Sequence, residues 1–125
     1  MAVIKRANVA APVLPRETVE VEALGGEVVV QGLLLSDRQD LETFMVSLAL
    51  AGREAAESGG SAQAAGMSKV IPRLLHLSVL DADGERVYTE QEWQVFGGAH
   101  HVQATALFLV AWRLSGFKKA DAVKN

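Results

Sequence analysis

Leu75-His-Leu-Ser-Val-Leu-Asp-Ala-Asp-Gly-Glu-Arg-Val-Tyr-Thr-Glu-Gln-Glu-Trp93 carries four structural signals in succession. Leu75, Leu77 and Val79 alternate with His76 and Ser78, the period-two pattern of a half-buried strand. Asp83-Gly84 is a tight-turn pair, and residues 85–88 form a short partner strand. Thr89-Glu-Gln-Glu92 has the form of a capping box, in which hydroxyl and carboxylate each accept a backbone N–H at a helix start. Tyr88 before the cap and Trp93 at the fourth helical position have the spacing of a hydrophobic staple. A second short hairpin followed by a short helix is the expectation, and it places the chain in the α+β class.

The neighbouring segments extend this pattern. Upstream, residues 68–75 open as a helix with Ser68 as cap, and Pro72 near its first turn argues against a long one. The segment then becomes the strand already read around Val79. Residues 52–66 are small and polar with no apolar period, which predicts a flexible loop with at most a partial helix over 55–57. Ser36-Asp-Arg-Gln39 is another capping box, with Asp37 suited to the positive helix end. Leu41, Phe44, Met45, Leu48 and Ala49 follow as one apolar stripe, and Gly52 is the expected stop. Before it, Val19, Val21 and Ala23 alternate with Thr18, Glu20 and Glu22. Gly25-Gly26 serves as a two-residue loop, and residues 27–33 return with Val28 and Val30 on one face: an N-terminal β-hairpin.

Downstream, Gly97-Gly98 breaks the short helix, and a longer one runs over 99–114. Gly116 closes that helix, with Lys118 and Lys119 just past its negative end. The expected organisation is a flexible arm at 1–16, one domain at 17–117 with its loop at 52–66, and a fraying tail at 118–125.

Composition bounds the function classes. The chain has 125 residues, half of them hydrophobic, enough for a real core in a single domain. Net charge is −3, so no basic excess favours nucleic acid. There is no cysteine, which removes disulfides and thiolate metal sites. Asn8, Pro12 and Pro15 interrupt any signal-peptide core, and the most apolar run, 104–112, is too short to span a bilayer. A soluble cytoplasmic protein, with no membrane partner, is expected.

No residue set recommends catalysis. The histidines are His76, His100 and His101. The adjacent pair would point about 100° apart on a helix and cannot share a metal as an i, i+4 pair would. Asp81-Ala-Asp83-Gly84 has the look of a calcium loop, but with Asp81 first the glycine falls at position 4 instead of 6. Ser36, Ser47, Ser68 and Ser115 lack a nucleophile-elbow context. The glycine pairs fit neither a Walker loop nor a dinucleotide fingerprint. Glu90 and Glu92 are accounted for by capping. The reading is therefore a non-enzyme with no catalytic residues, no cofactor and no metal.

The helix over 99–114 is more telling. Val102, Ala106, Leu109 and Arg113 form one stripe, and Leu107, Val110 and Leu114 another, with Phe108 and Trp112 beside them. Such an all-round apolar helix is either central to a core or shared with a partner. On the second alternative, Phe108, Leu109, Trp112 and Arg113 form the candidate oligomer or partner surface, Trp and Phe being well suited to anchor interfaces.

In order and spacing these signals resemble the tail assembly chaperones of phages and prophages with long, non-contractile tails. The residues that carry the resemblance are Val19-Glu-Val21 with Leu24-Gly25-Gly26 and Val28-Val-Val30, then Leu35-Ser36-Asp37 opening a helix. Val79-Leu-Asp81-Ala-Asp83-Gly84 running into Val87-Tyr88-Thr89, and Leu114-Ser115-Gly116, complete it, so that it covers residues 17–117. The chain departs from the family pattern in its N-terminal arm and in the loose segment 52–66. The resemblance implies a chaperone that binds the tape measure protein, keeps its apolar surface soluble in the host cytoplasm and is absent from the finished tail. It also implies self-association, contact with the tail tube protein, and a longer frameshifted form of the same chain. Phe117-Lys118-Lys119, with A-rich lysine codons, is a candidate slippage point. The rival classes are a structural head–tail connector or minor tail protein, a small enzyme or ligand-binding domain with a pocket near His100 and His101, and an unrelated interaction module.

Overall fold

The computed structural model describes residues 2–57 and 62–117, with the side chains of 54–57 and 62–67 left out. Among them it shows an α+β fold of three antiparallel strands and four α-helices. In chain order these are β1 (Arg16–Val21), β2 (Gly26–Gln31), α1 (Leu35–Glu57), α2 (Ala62–Ser78), β3 (Val79–Leu80), α3 (Glu90–Ala99) and α4 (His101–Leu114). The N-terminal arm holds one short 3-10 turn at Arg6–Asn8 and is exposed from Ala2 to Val13.

The sheet order is β1-β2-β3, so β1 is an edge strand. Arg16 pairs with Gln31 and Val21 with Gly26. The hairpin is where the alternation puts it, but its loop is longer than a Gly25-Gly26 turn. Glu22–Leu24 form a 3-10 turn closed by Gly25 at φ 82°, and Gly26 already belongs to β2. Only Gly25 needs the left-handed conformation. Val21, Val28 and Val30 point into the core, and Arg16, Thr18, Glu20 and Glu27 point to solvent.

Helix α4 packs on the inner face, and α2 and α3 pack on α4 and on each other, burying Leu74, Leu75, Trp93, Phe96, Leu107, Phe108, Ala111 and Trp112 with the valines. Each fully buried valine, leucine or phenylalanine contributes about 1.5–3 kcal/mol. Tertiary bonds then lock α4 to the sheet. Ser115 Oγ accepts the Leu33 N–H at 3.2 Å, and Gln103 Oε1 accepts that of Ala23 at 3.0 Å. Gly32 is buried beneath the end of α4, where a Cβ would meet the Leu114 carbonyl oxygen at 2.4 Å.

Several helix limits differ from the sequence reading. Helix α1 starts at Leu35, with the Arg38 N–H bonded to the Leu34 carbonyl, so Ser36 lies inside the first turn and does not cap it. It runs through Gly52 to Glu57, with Gly52 buried. The supposed loop 52–66 is helical up to 57 and again from 62; residues 58–61 lie outside the described residues, as does the tail 118–125. Helix α2 passes straight through Pro72, and the strand shrinks to Val79–Leu80.

A proline there removes the bond that the Ser68 carbonyl would accept from residue 72. The Gln94 side-chain amide, from α3, donates to that carbonyl at 3.0 Å instead. A tertiary donor thus takes the place of the missing helical one. The burial of Val70, Leu74 and Ser78, four residues apart, shows that the helical period wins over the alternation at 75–79.

The Asp81 turn forms as expected, with Gly84 at φ 81°. Its return segment makes one bridge, Leu80 to Arg86, instead of a strand, and β3 pairs mainly with β2. The Thr89 capping box is complete, and Tyr88 and Trp93 meet edge to face at 4.9 Å. Helix α3 continues through Gly97 and Gly98; the break falls at His100, with φ −135° and ψ 60°.

Candidate functional site

Helix α4 divides into two faces. Phe108 and Trp112, at 2% and 4% exposure, belong to the chain's own core, whereas Leu109 at 44% and Arg113 face outward. Two of the four candidate residues are thus buried and two exposed. The aromatic pair lies in the core, and Leu109 and Arg113 lie at the surface. Val102, 80% exposed, and Ala106 complete the outward stripe with Leu109 at i, i+4 and i+7.

Where α4 ends, the chain builds a small apolar hollow. Gly116, at φ 85°, lets its N–H bond the Arg113 carbonyl while the Phe117 N–H bonds the Trp112 carbonyl. These two bonds are a Schellman closure. They bring Phe117 flat against Trp112, ring centroids 4.1 Å apart. Leu109, Val110, Trp112, Arg113 and Phe117 line a hollow of about 300 Å³. Arg38 of α1 lies over the Phe117 ring at 4.4 Å and donates from Nε to the Ser115 carbonyl at 2.9 Å, and it is paired with Glu42. A cation thus sits at the negative end of α4, as expected there, but it comes from α1. Lys118 and Lys119, expected in that role, lie outside the described residues. Arg113 pairs with Glu17 of β1 at 2.8 Å, an exposed contact worth little in stability.

A second apolar surface lies on α1. Phe44-Met-Val-Ser-Leu-Ala-Leu-Ala51 contains one polar side chain, and the Ser47 hydroxyl donates back to the Phe44 carbonyl at 2.7 Å. Leu41 is buried, and Arg73 covers the Phe44 ring at 3.6 Å. Met45 and Leu48 are half-buried, whereas Val46 at 60% and Leu50 at 54% face solvent one turn apart. Sequence reasoning took α1 as a one-sided stripe and missed Val46 and Leu50. The argument it applied to α4, an apolar run with no polar face, would have found them.

The remaining sequence candidates are structural or exposed. His76 Nδ1 lies 2.9 Å from the Tyr88 carbonyl and Nε2 3.2 Å from Arg86 Nη1. Arginine can only donate, so Nε2 accepts and the proton sits on Nδ1. His100 occupies the α3–α4 break against Phe96, and His101 opens α4; both are exposed. Asp81 Oδ1 accepts the N–H groups of Asp83 and Glu85 and so organises its own turn. Among the described residues no three His, Cys, Asp or Glu side chains are grouped to hold a metal, and no helix is long and apolar enough to cross a membrane.

Comparison with protein-family models, curated proteins and solved structures finds no match to this chain. What the geometry offers is two outward apolar helix faces, on α1 and α4, each suited to lie along another apolar helix.

Proposed function

We propose that the protein is a tail assembly chaperone of a phage or prophage with a long, non-contractile tail. In this reading it works in the host cytoplasm and has no catalytic role. It covers apolar stretches of the helical tape measure protein until the tail tube protein polymerises around them, and it is not retained in the mature tail. Self-association and a longer, frameshifted form of the chain belong to the same proposal.

The observation that carries it is the pair of solvent-facing apolar stripes, Val46 with Leu50 and Val102 with Leu109. The order of signals along residues 17–117 supports the family. A small domain that leaves valines and leucines at the surface of two helices has a means of packing a third helix against them.

Coexpression with the cognate tape measure protein tests the binding. The wild-type chain should keep that protein soluble and copurify with it, whereas Val46→Asp/Leu50→Asp should leave the circular dichroism spectrum unchanged and lose the complex. Immunoblots of infected cells and purified particles test the class. A band in cells, with a minor longer one, and none in particles is the expected result. A stoichiometric band in particles would make the chain a connector or minor tail protein.

A further inference from the structure

Strand β1 has β2 on one side only, and its outer edge carries a charge pattern complementary to itself. The Gly32 N–H donates to the Pro15 carbonyl at 2.9 Å, which makes that pair a hydrogen-bonded one. Antiparallel pairs alternate, so Glu17, Val19 and Val21 direct their peptide groups at β2. The N–H and C=O groups of Arg16, Thr18 and Glu20 point the other way, away from the sheet. All three residues are exposed.

The side chains at this edge are unevenly charged. Arg16 stands at one end. At the other, Glu20 lies directly opposite Glu27 on the same solvent face, and like charges in that position repel. A second copy running antiparallel about a two-fold axis at Thr18 brings its Arg16 opposite Glu20, with Glu27 one strand further on, and its Glu20 opposite Arg16. Thr18 meets its own copy, another favourable cross-strand pair. The parity also fits, because Arg16, Thr18 and Glu20 are the residues with free peptide groups, and they meet one another. The contact is self-complementary, as a two-fold interface must be.

We infer that β1 pairs with β1 of a second copy of this chain, antiparallel about Thr18, to give a continuous six-stranded sheet. This names a surface for the self-association proposed above. It uses none of the apolar residues of α1 or α4, so it stands or falls separately from tape-measure binding.

Sedimentation equilibrium of the full chain at up to about 100 μM, a range that detects weak small interfaces, tests it. A dimer is expected. Arg16→Glu and Glu20→Arg, each replacing two attractions by two repulsions, should raise its dissociation constant about tenfold or more. The double variant restores both pairs and should recover the dimer. Thr18→Pro removes an outward N–H that β2 does not use, and should give a monomer with an unchanged circular dichroism spectrum. Leu109→Asp should leave the dimer intact. A monomeric wild type overturns the inference, as does a dimer insensitive to Thr18→Pro and to both reversals. Failure of the double variant to recover the dimer, or loss of the dimer in Leu109→Asp, also overturns it.

Discussion

Replacing Trp112 separates a core role from a binding role. The indole is 4% exposed, stacks on Phe117 at 4.1 Å and packs near Phe108 at 5.4 Å. Truncating such a residue to alanine costs about 3–5 kcal/mol, since the lost burial is joined by a cavity that the surrounding structure fills only in part. Part of the Schellman closure goes with it, because the Phe117 ring loses the surface it rests on. For a chain of this size each kcal/mol moves the melting midpoint by about 3–5 °C, so Trp112→Ala should lower it by about 9–25 °C. That approaches half the total stability of an ordinary small domain. Leu109→Ala, one turn away but 44% exposed, should cost about 1 kcal/mol or less. Differential scanning calorimetry of both variants is the assay. A Trp112→Ala protein melting within about 3 °C of the wild type would refute the argument, and the inward face of α4 would have to be drawn elsewhere.

Two other sites give equally direct outcomes. Gly32→Ala puts a Cβ 2.4 Å from the Leu114 carbonyl oxygen and must push the end of α4 off the sheet. Urea unfolding should show a loss of about 1–3 kcal/mol, and an unchanged midpoint would mean that the approach is looser than drawn. Gln94→Leu strips the donor from the Ser68 carbonyl and should cost about 1 kcal/mol. In a Pro72→Ala background, where residue 72 regains its N–H, the same change should cost much less; equal costs in both backgrounds would break the link between proline and amide.

Legibility in the sequence followed the range of the interactions. The Thr89 box and the Tyr88–Trp93 staple were readable because partners and spacing lie within five residues. The β1–β2 hairpin was readable for the same reason, although Gly25 alone needed its positive φ and the loop began three residues earlier. The Gly116 stop also held, because a left-handed residue after the last helical turn is a local requirement. Glycine and proline elsewhere misled. Gly52, Gly97, Gly98 and Pro72 all sit inside helices, because a propensity cost of about 1 kcal/mol for glycine, or about 3 for proline, is smaller than the packing those helices gain. Pro72 is the clearest case, since its remedy, Gln94, lies 22 positions further along the chain and announces nothing by itself.

The candidate surface shows the same boundary from the other side. An apolar run such as 104–112 states that a helix is buried somewhere, but its outward side depends on what the fold sets against it. Only the packing of α2, α3 and the sheet shows that Phe108 and Trp112 are taken and that Val102 and Leu109 are not. On α1 Arg73 covers the Phe44 ring, while Val46 and Leu50 stay open to solvent. The β1 edge differs in kind, because its free peptide groups and the Arg16/Glu20 pattern are polar and geometrically fixed. Apolar stripes tolerate many helical partners, whereas a strand edge demands one register. In the proposed roles one surface takes a helical client and the other a second copy of the chain, and because the two share no residue, each can be disabled alone.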